Sequence, residues 1–347
     1  MINKRNIERY IRSLFGQEAL ISIKKLGQGV QGAGFLIDVK TRSGHRSYVI
    51  KGLFPHGLGH DYPADRAGVF LLDLDEFKNL PGHVRAIDVI AECEDGTIKS
   101  IGGGREYYLL MERAEGRDYF HDLREMKDKD ALDEHDIKRI KAMTSYLARI
   151  HSVRGDSKAL YWRRIRDTIG HGECLMGVLD TYPDGTMSYR EMAEIEKLSV
   201  EWRARLKPLY RRLCQVHGDF HPGNIWFRDT TEFILLDRSR GPWGEAADDV
   251  TALTINYIFF SIRYFGRLRG AYDEALRLFY REYIEETGDR DILRVVAPFY
   301  AFRGVVVANP VFYPDVTRSN RRRLINFVKN VLRTRSFDPK RVNEYIK

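Results

Sequence analysis

The stretch VHGDFHPGNIWF, Val216 to Phe227, followed by TEFILLD ending at Asp237, decides the reading of this chain. IWF and EFILL are apolar and β-prone, and the polar residues between them suit a turn, so the segment reads as a loop entering a β-hairpin. The hairpin returns Asp237 beside Asn224. Gly218, Pro222 and Gly223 suit a tight, fixed loop ahead of it. Three side chains with oxygen atoms then converge. Asp219 offers a carboxylate that can accept the proton of an attacking hydroxyl. Asn224 offers an amide oxygen that can hold Mg²⁺ without adding a full negative charge. Asp237 offers a second carboxylate for metal ions that bridge phosphates. His217 and His221 have a spacing met in zinc pairs, but Pro222 belongs to a turn and not to a helix, which disfavours a zinc pair, and His217 reads as a structural hydrogen-bonding residue rather than a base. The bland alternative is a polar loop between core elements.

Two features upstream bear on that choice. Gly27-Gln28-Gly29-Val30-Gln31-Gly32 is a GxGxxG run. A dinucleotide-binding loop would be followed by a helix, whereas AGFLIDVKT follows here and alternates like a strand. A strand, glycine loop and second strand can fold over nucleotide phosphates, because glycines let backbone amides approach phosphate oxygens. The competing reading is a plain glycine-bearing hairpin. Lys51, in YVIKG about twenty residues on, is costly in an apolar strand unless its ammonium meets an anion. It reads as a phosphate-binding lysine, with an exposed strand lysine as the alternative.

Around these motifs the chain has 347 residues, 43% hydrophobic and 12% aromatic, enough to bury a core and to expect two lobes. Residues 1–18 read as an amphipathic helix through Ile7, Tyr10, Ile11 and Leu14. Residues 21–53 read as a β-meander, and 64–80 as a helix with Val69, Leu72 and Phe77 inward. IDVIAECEDGTIKSI and EYYLLMERA read as two more strands, joined across Asp95-Gly96 and Gly102–Gly104. Beyond Gly116 the texture is helical. Glu134 to His151 carries Ile137, Ile140, Met143, Leu147 and Ile150 at helical spacing. The expectation is an α+β chain whose β-rich half, 1–113, covers a nucleotide and whose helical half, 114–347, binds an acceptor. Cys93, Cys174 and Cys214 form no CxxC pair, which points to a reducing, cytoplasmic setting. MINKRNIERYIRSLFGQ is charged throughout and lacks an apolar h-region, so no secretory signal is expected, and the longest apolar stretch, near Ile255–Ile262, falls short of a spanning helix. No membrane partner is expected.

HGDFHPGN, the following LLD and the downstream Asp249 in GEAADDVTAL resemble the aminoglycoside phosphotransferase-like family, which includes choline kinases and other small-molecule kinases and shares the protein-kinase fold. SYLARIH (Ser145–His151) looks like the family's segment ahead of the catalytic loop, and LLMERAEG (Leu109–Gly116) like its lobe-connecting hinge. The resemblance spans roughly residues 20–255. It implies ATP and Mg²⁺ as cofactors and a bilobal fold, with an N-terminal antiparallel sheet and a larger helical lobe. It implies Asp219 as catalytic base, Asn224 and Asp237 as Mg²⁺ ligands, and Gly27, Gly29, Gly32 and Lys51 at the phosphates. Backbone groups of Glu112 and Ala114 would meet the adenine edge, and Asp249 would brace the loop.

The sequence departs from the family pattern in three places. Arg238-Ser239 follows Asp237 where an acidic third residue is common. The acidic partner of Lys51 has only Asp65, Asp73 and Glu76 as candidates, of which Asp65 lies nearest the expected distance. Eleven residues separate Asp237 from Asp249, with no APE motif, which leaves no room for a long activation loop. The expected acceptor is therefore a hydroxyl of a small molecule: a sugar, an amino alcohol or an aminoglycoside-like compound. An atypical protein kinase and a non-catalytic nucleotide-binding or regulatory module are the alternatives. The whole chain carries 57 Lys and Arg against 49 Asp and Glu, a net charge of +8. Residues 251–335 alone hold 15 basic against 8 acidic residues, which disfavours a polycationic acceptor and tilts towards a neutral or anionic one. The run Arg318 to Arg323 reads as a solvated helix start, and no specific nucleic acid is expected.

Overall fold

The chain divides into two units, Met1–Met111 and Glu112–Lys347. The computed structural model describes residues 3–28, 32–55, 59–76, 84–104, 113–238 and 240–347. The first unit opens with helix α1 (Lys4–Phe15), capped by Asn3, whose side chain accepts from the Arg5 amide. Three strands follow: β1 (Leu20–Gln28), β2 (Gly32–Thr41) and β3 (Gly44–Leu53). They form an antiparallel meander in which Ile37 faces Ile23 on one side and Tyr48 on the other. Alternation along β2 sends Phe35, Ile37 and Val39 inward, where they pack with Ile7 and Ile11 of α1.

Helix α2 (Pro63–Glu76) comes next. Leu72, expected inward, is 64% exposed, and Val69 is half-buried. Pro63, Ala67 and Phe70 instead line a cavity in this unit, because apolar residues on two faces of a short helix leave its phase undetermined. Phe77 lies outside the described residues. IDVIAECEDGTIKSI is not one strand but a hairpin, β4 (Ile90–Glu92) paired antiparallel with β5 (Ile98–Ser100). Asp95-Gly96 closes it, with Gly96 at φ +76° and the Asp95 carboxylate accepting from the Thr97 amide. The strand expected in EYYLLMERA falls mostly on residues outside the described set.

The second unit begins with β6 (Arg117–Asp118), α3 (Phe120–Glu125) and α4 (Glu134–His151). Helix α4 has the expected span, starts with a capping box at Asp133, and buries Ile140, Met143 and Leu147. After α5 (Lys158–Gly170), α6 (Leu175–Asp180) and α7 (Tyr189–Leu206) come four short strands. These are β7 (Cys214–Gln215), β8 (Ile225–Phe227), β9 (Phe233–Leu235) and β10 (Trp243–Gly244). β7 pairs with β10, and β8 lies between β6 and β9. Helices α8 (Ala246–Phe265), α9 (Gly270–Thr287), α10 (Ile292–Val295), α11 (Ala297–Ala308), α12 (Arg318–Arg333) and α13 (Val342–Tyr345) complete the unit. α8 is buried from Ala246 through Ile262 and forms the centre of the helical core.

The chain is thus α+β, with an antiparallel sheet in the smaller first unit and helices dominating the larger second one, as the sequence leads one to expect. Among the described residues no helix is long and apolar enough to cross a membrane. Gly32 has a packing reason to be glycine: a Cβ there would sit 2.3 Å from the Gly52 carbonyl oxygen. Gly32→Ala is expected to destabilise the chain by roughly 1–3 kcal/mol as strand β3 is pushed away. Thermal melts read this against Gly103→Ala, where an added methyl meets nothing within 4 Å.

Candidate functional site

The segment 216–224 leaves the β7–β10 pair as a loop held by its backbone. Asp249, in the first turn of α8, is completely buried and accepts from the His217 and Gly218 amides at 2.7 Å each. His151, the last residue of α4, donates to the same carboxylate at 3.2 Å, and its Nδ1 shares a hydrogen bond with the Tyr283 hydroxyl at 2.8 Å. Burial alone would push the Asp249 carboxyl up. The His151 hydrogen bond and charge, with the loop contacts, outweigh burial and hold it below its ordinary value. Gly218 takes φ +88°, and a Cβ there would meet an Arg164 nitrogen at 2.7 Å. The loop therefore requires glycine twice over at this position.

The two histidines serve the loop itself. His217 Nδ1 accepts from the Asp219 amide at 3.2 Å, and His221 Nδ1 accepts from the Gly223 amide at 3.1 Å. Those lone pairs are occupied, and for His217 this is the hydrogen-bonding role read from the sequence. Asn224 is buried and its Nδ2 donates to the Asp219 carbonyl at 3.0 Å, while its Oδ1 has no hydrogen bond among the described residues. Across the β8–β9 hairpin, the Leu236 amide donates to the Asn224 carbonyl at 3.0 Å, so the next residue, Asp237, emerges beside Asn224. Asp237 has φ +54°, the one positive value outside glycine among the described residues. Strain of this kind gathers at functional positions.

The Asp219 carboxylate is the electrostatic focus. Arg303 of α11 donates to it at 2.5 Å, Arg240 Nη1 lies at 3.8 Å and His221 Nε2 at 3.9 Å. Burial would raise the Asp219 carboxyl, but Arg303, then Arg240 and His221, bring it down to about 2. Arg303 also donates to the Gly218 carbonyl at 3.1 Å and to buried Asp248 at 2.8 Å. Asp248 in turn holds Arg164 at 2.5 Å, which donates to the Gly218 and Arg240 carbonyls. The sequence reading named neither Arg303, Arg164 nor Arg240. A signal existed for Arg303, because a lone arginine in AFRGVVVA is as costly as Lys51 in its strand unless it finds an anion.

In the first unit, Lys51 sits on β3 opposite Gly34, is exposed, and lines a cavity of about 650 Å³ together with Phe35, Phe70 and Ala91. Among the described side chains no carboxylate forms an ion pair with it. Asp65, the favoured partner, instead accepts from the Tyr62 amide at 2.8 Å as α2 begins. Gly27 lies at the end of β1 and Gly32 starts β2. Gly29 and Glu112 lie outside the described residues. Ala114 is a half-buried residue of the segment that leads into β6. The basic run on α12 is largely engaged in structure: Arg321 donates to the Tyr313 and Val316 carbonyls, and Arg322 pairs with Glu191 at 2.6 Å.

The model of the phosphotransferase enzyme family matches residues 74–286, more than half of the chain. The chain belongs to that family, and its activity is in general terms that of a phosphotransferase. No curated protein matches it. Among solved structures it is similar to amicoumacin kinase hAmiN in complex with AMP-PNP, Ca²⁺ and Ami, at 15% identity and a TM-score of 0.42, covering 98% of this chain and 97% of that one. The ADP-bound aminoglycoside phosphotransferase APH(2'')-Ib follows at 14% identity and a TM-score of 0.34, with 92% and 97% covered. Choline kinase from Cryptosporidium parvum Iowa II gives 12% and 0.33, with 99% and 92% covered.

Asp249→Asn is expected to destabilise the chain by about 3 kcal/mol, because it removes the buried anion that faces two amides and His151. The folded Asp249 carboxyl lies below its unfolded value, so its contribution is present above the unfolded carboxylate range and is lost as pH falls through the folded value. Urea melts should therefore show the gap between wild type and Asp249→Asn narrowing from about pH 7 to about pH 3.

Proposed function

We propose that the protein transfers the γ-phosphoryl group of ATP, with Mg²⁺, to a hydroxyl of a small molecule. The observation that supports this reading is an ionised, largely buried Asp219 on a loop fixed by Asp249, with Asn224 hydrogen-bonded across one hairpin to Leu236, the residue before Asp237. Asp219 orients the acceptor hydroxyl and takes its proton. With its carboxyl near 2, Asp219 is a weak base, which suits phosphoryl transfer, where positioning outweighs proton abstraction. The Oδ1 of Asn224 and the carboxylate of Asp237 are hard oxygen donors of the kind Mg²⁺ prefers, so the residues fit that ion. When bound, Mg²⁺ offsets the charge of the nucleotide phosphates. In the first unit, Lys51 contacts the phosphates, and Gly27, Gly29 and Gly32 bring backbone amides to them and exclude water. Glu112 and Ala114 meet the adenine edge through their backbones. The lobe 1–113 is the nucleotide side and 114–347 the acceptor side. The short segment between Asp237 and Asp249 favours a small molecule over a protein acceptor.

Asp219→Asn is expected to keep Mg-ATP binding and to lose ~100-fold or more in turnover. Wild-type transfer rates in that variant would remove Asp219 from the chemistry. Asp237→Ala should abolish the Mg²⁺ dependence of nucleotide binding in a thermal-shift titration, and an unchanged Mg²⁺ response would take Asp237 out of the metal site. Because Asp219 is ionised down to about pH 2, it should contribute no acid limb to kcat/KM across about pH 5–8. An acid limb in that range that vanishes in Asp219→Asn would contradict this assignment.

A further inference from the structure

Beside Asp219, within the helical unit, lies a cavity of about 210 Å³ whose wall carries Arg240, Arg303 and Asn256 among Phe120, Phe302 and Phe312. It is smaller than the ~300 Å³ lower end of pockets for drug-sized ligands, so its occupant is small. The charges around it are unequally paired. Arg303 and Arg164 are matched by Asp219 and Asp248, two cations against two anions. Among the described residues Arg240 is the most weakly paired of the three arginines, since the carboxylate it approaches at 3.8 Å is held by Arg303 at 2.5 Å. Glu173 also lines the cavity, but it is exposed, and only its carbonyl meets Arg240, at 3.5 Å.

The donors tell the same story. Arg240 Nε and Nη1 and Arg303 Nε are buried without a hydrogen-bond partner among the described residues, three of the five such side-chain atoms. Buried donors are normally satisfied. Both guanidinium carbons lie over the Phe302 ring, at 5.2 Å for Arg240 and 4.5 Å for Arg303, so apolar surface flanks these N–H groups. Desolvated N–H donors of this kind on charged guanidiniums suit the oxygens of an oxyanion and repel an ammonium group.

We propose that this cavity takes the anionic end of the acceptor, which makes the substrate class a small alcohol carrying a carboxylate or a phosphate, held by Arg240 with Arg303 beside it. The inference rests on the phosphotransfer reading above and names its acceptor class. In the reaction the acceptor oxygen forms a bond to the γ-phosphorus of ATP and the bond from that phosphorus to the bridging oxygen breaks. ADP leaves, and the hydroxyl proton passes to Asp219 and then to water.

The test uses the full chain with Mg²⁺ and AMP-PNP, titrated calorimetrically with D-glycerate, glycerol 3-phosphate, glycerol and ethanolamine. At least one anionic probe should bind roughly ten- to hundredfold more tightly than glycerol or ethanolamine, the range expected for hydrogen bonds to a charged group. The tighter of the two anions names the group. Arg240→Gln should abolish that preference, with AMP-PNP affinity as the folding control. The proposal is overturned if neither anion binds at about 10 mM, if ethanolamine or glycerol binds as well, or if Arg240→Gln keeps the preference. Transfer from labelled ATP, measured on the same samples and on a wider panel of sugars, aminoglycosides and proteins, separates the two readings. Anion binding with no transfer to any acceptor leaves the anion site standing and sinks the phosphotransfer reading. Transfer that favours neutral or cationic acceptors does the reverse.

Discussion

Two adjacent carboxylates, Asp248 and Asp249, are buried at the start of α8, and the architecture of the helical unit follows from satisfying them. A helix N-terminus favours negative charge, but not enough to offset the removal of two anions from water. Partners must come from elsewhere in the chain. Asp249 draws on the loop amides of His217 and Gly218 and on His151 of α4. Asp248 draws on Arg164 of α5 and Arg303 of α11. One helix turn thereby fixes the positions of three other helices and of the 216–224 loop. A well-packed apolar substitute for such a cluster is often as stable, so its value here lies in fixing one arrangement of the chain.

Arg303 links this scaffold to Asp219, because one guanidinium holds the scaffold carboxylate with one nitrogen and Asp219 with another. On the proposed reading, the group that meets the acceptor hydroxyl is positioned by the same charge that keeps it ionised. Strength as a base is exchanged for fixed orientation, a reasonable exchange where the transition state is loose and little covalent work falls to the protein.

Much of this was legible in the sequence. Helix α4 declares itself by period and cap, and the meander by alternation. The HGDFHPGN loop carries its turn residues and its oxygen donors in one short run, so local rules suffice to find it. What escaped was long-range. The partners of Asp219 come from positions 240 and 303, and periodicity cannot say which distant helix supplies a counter-charge. The phase of α2 escaped for the opposite reason: its apolar residues lie on two faces, and tertiary packing chose the one bearing Phe70 over the one bearing Leu72. The glycine run was ambiguous from the outset. Gly32 proves to have a purely steric reason to be glycine in strand pairing, independent of any ligand.

The Gly218 peptide is anchored at both ends. Its amide donates to Asp249, while its carbonyl accepts from Arg164 and from Arg303. Rotating that residue would break three buried, charge-assisted hydrogen bonds at once. The loop bearing Asp219 therefore has no low-energy open form of its own, and its amides should exchange with solvent only when the helical unit itself comes apart. On the proposed reading, whatever movement admits substrate and releases product is left to other parts of the chain, and the rigid element carries the chemistry.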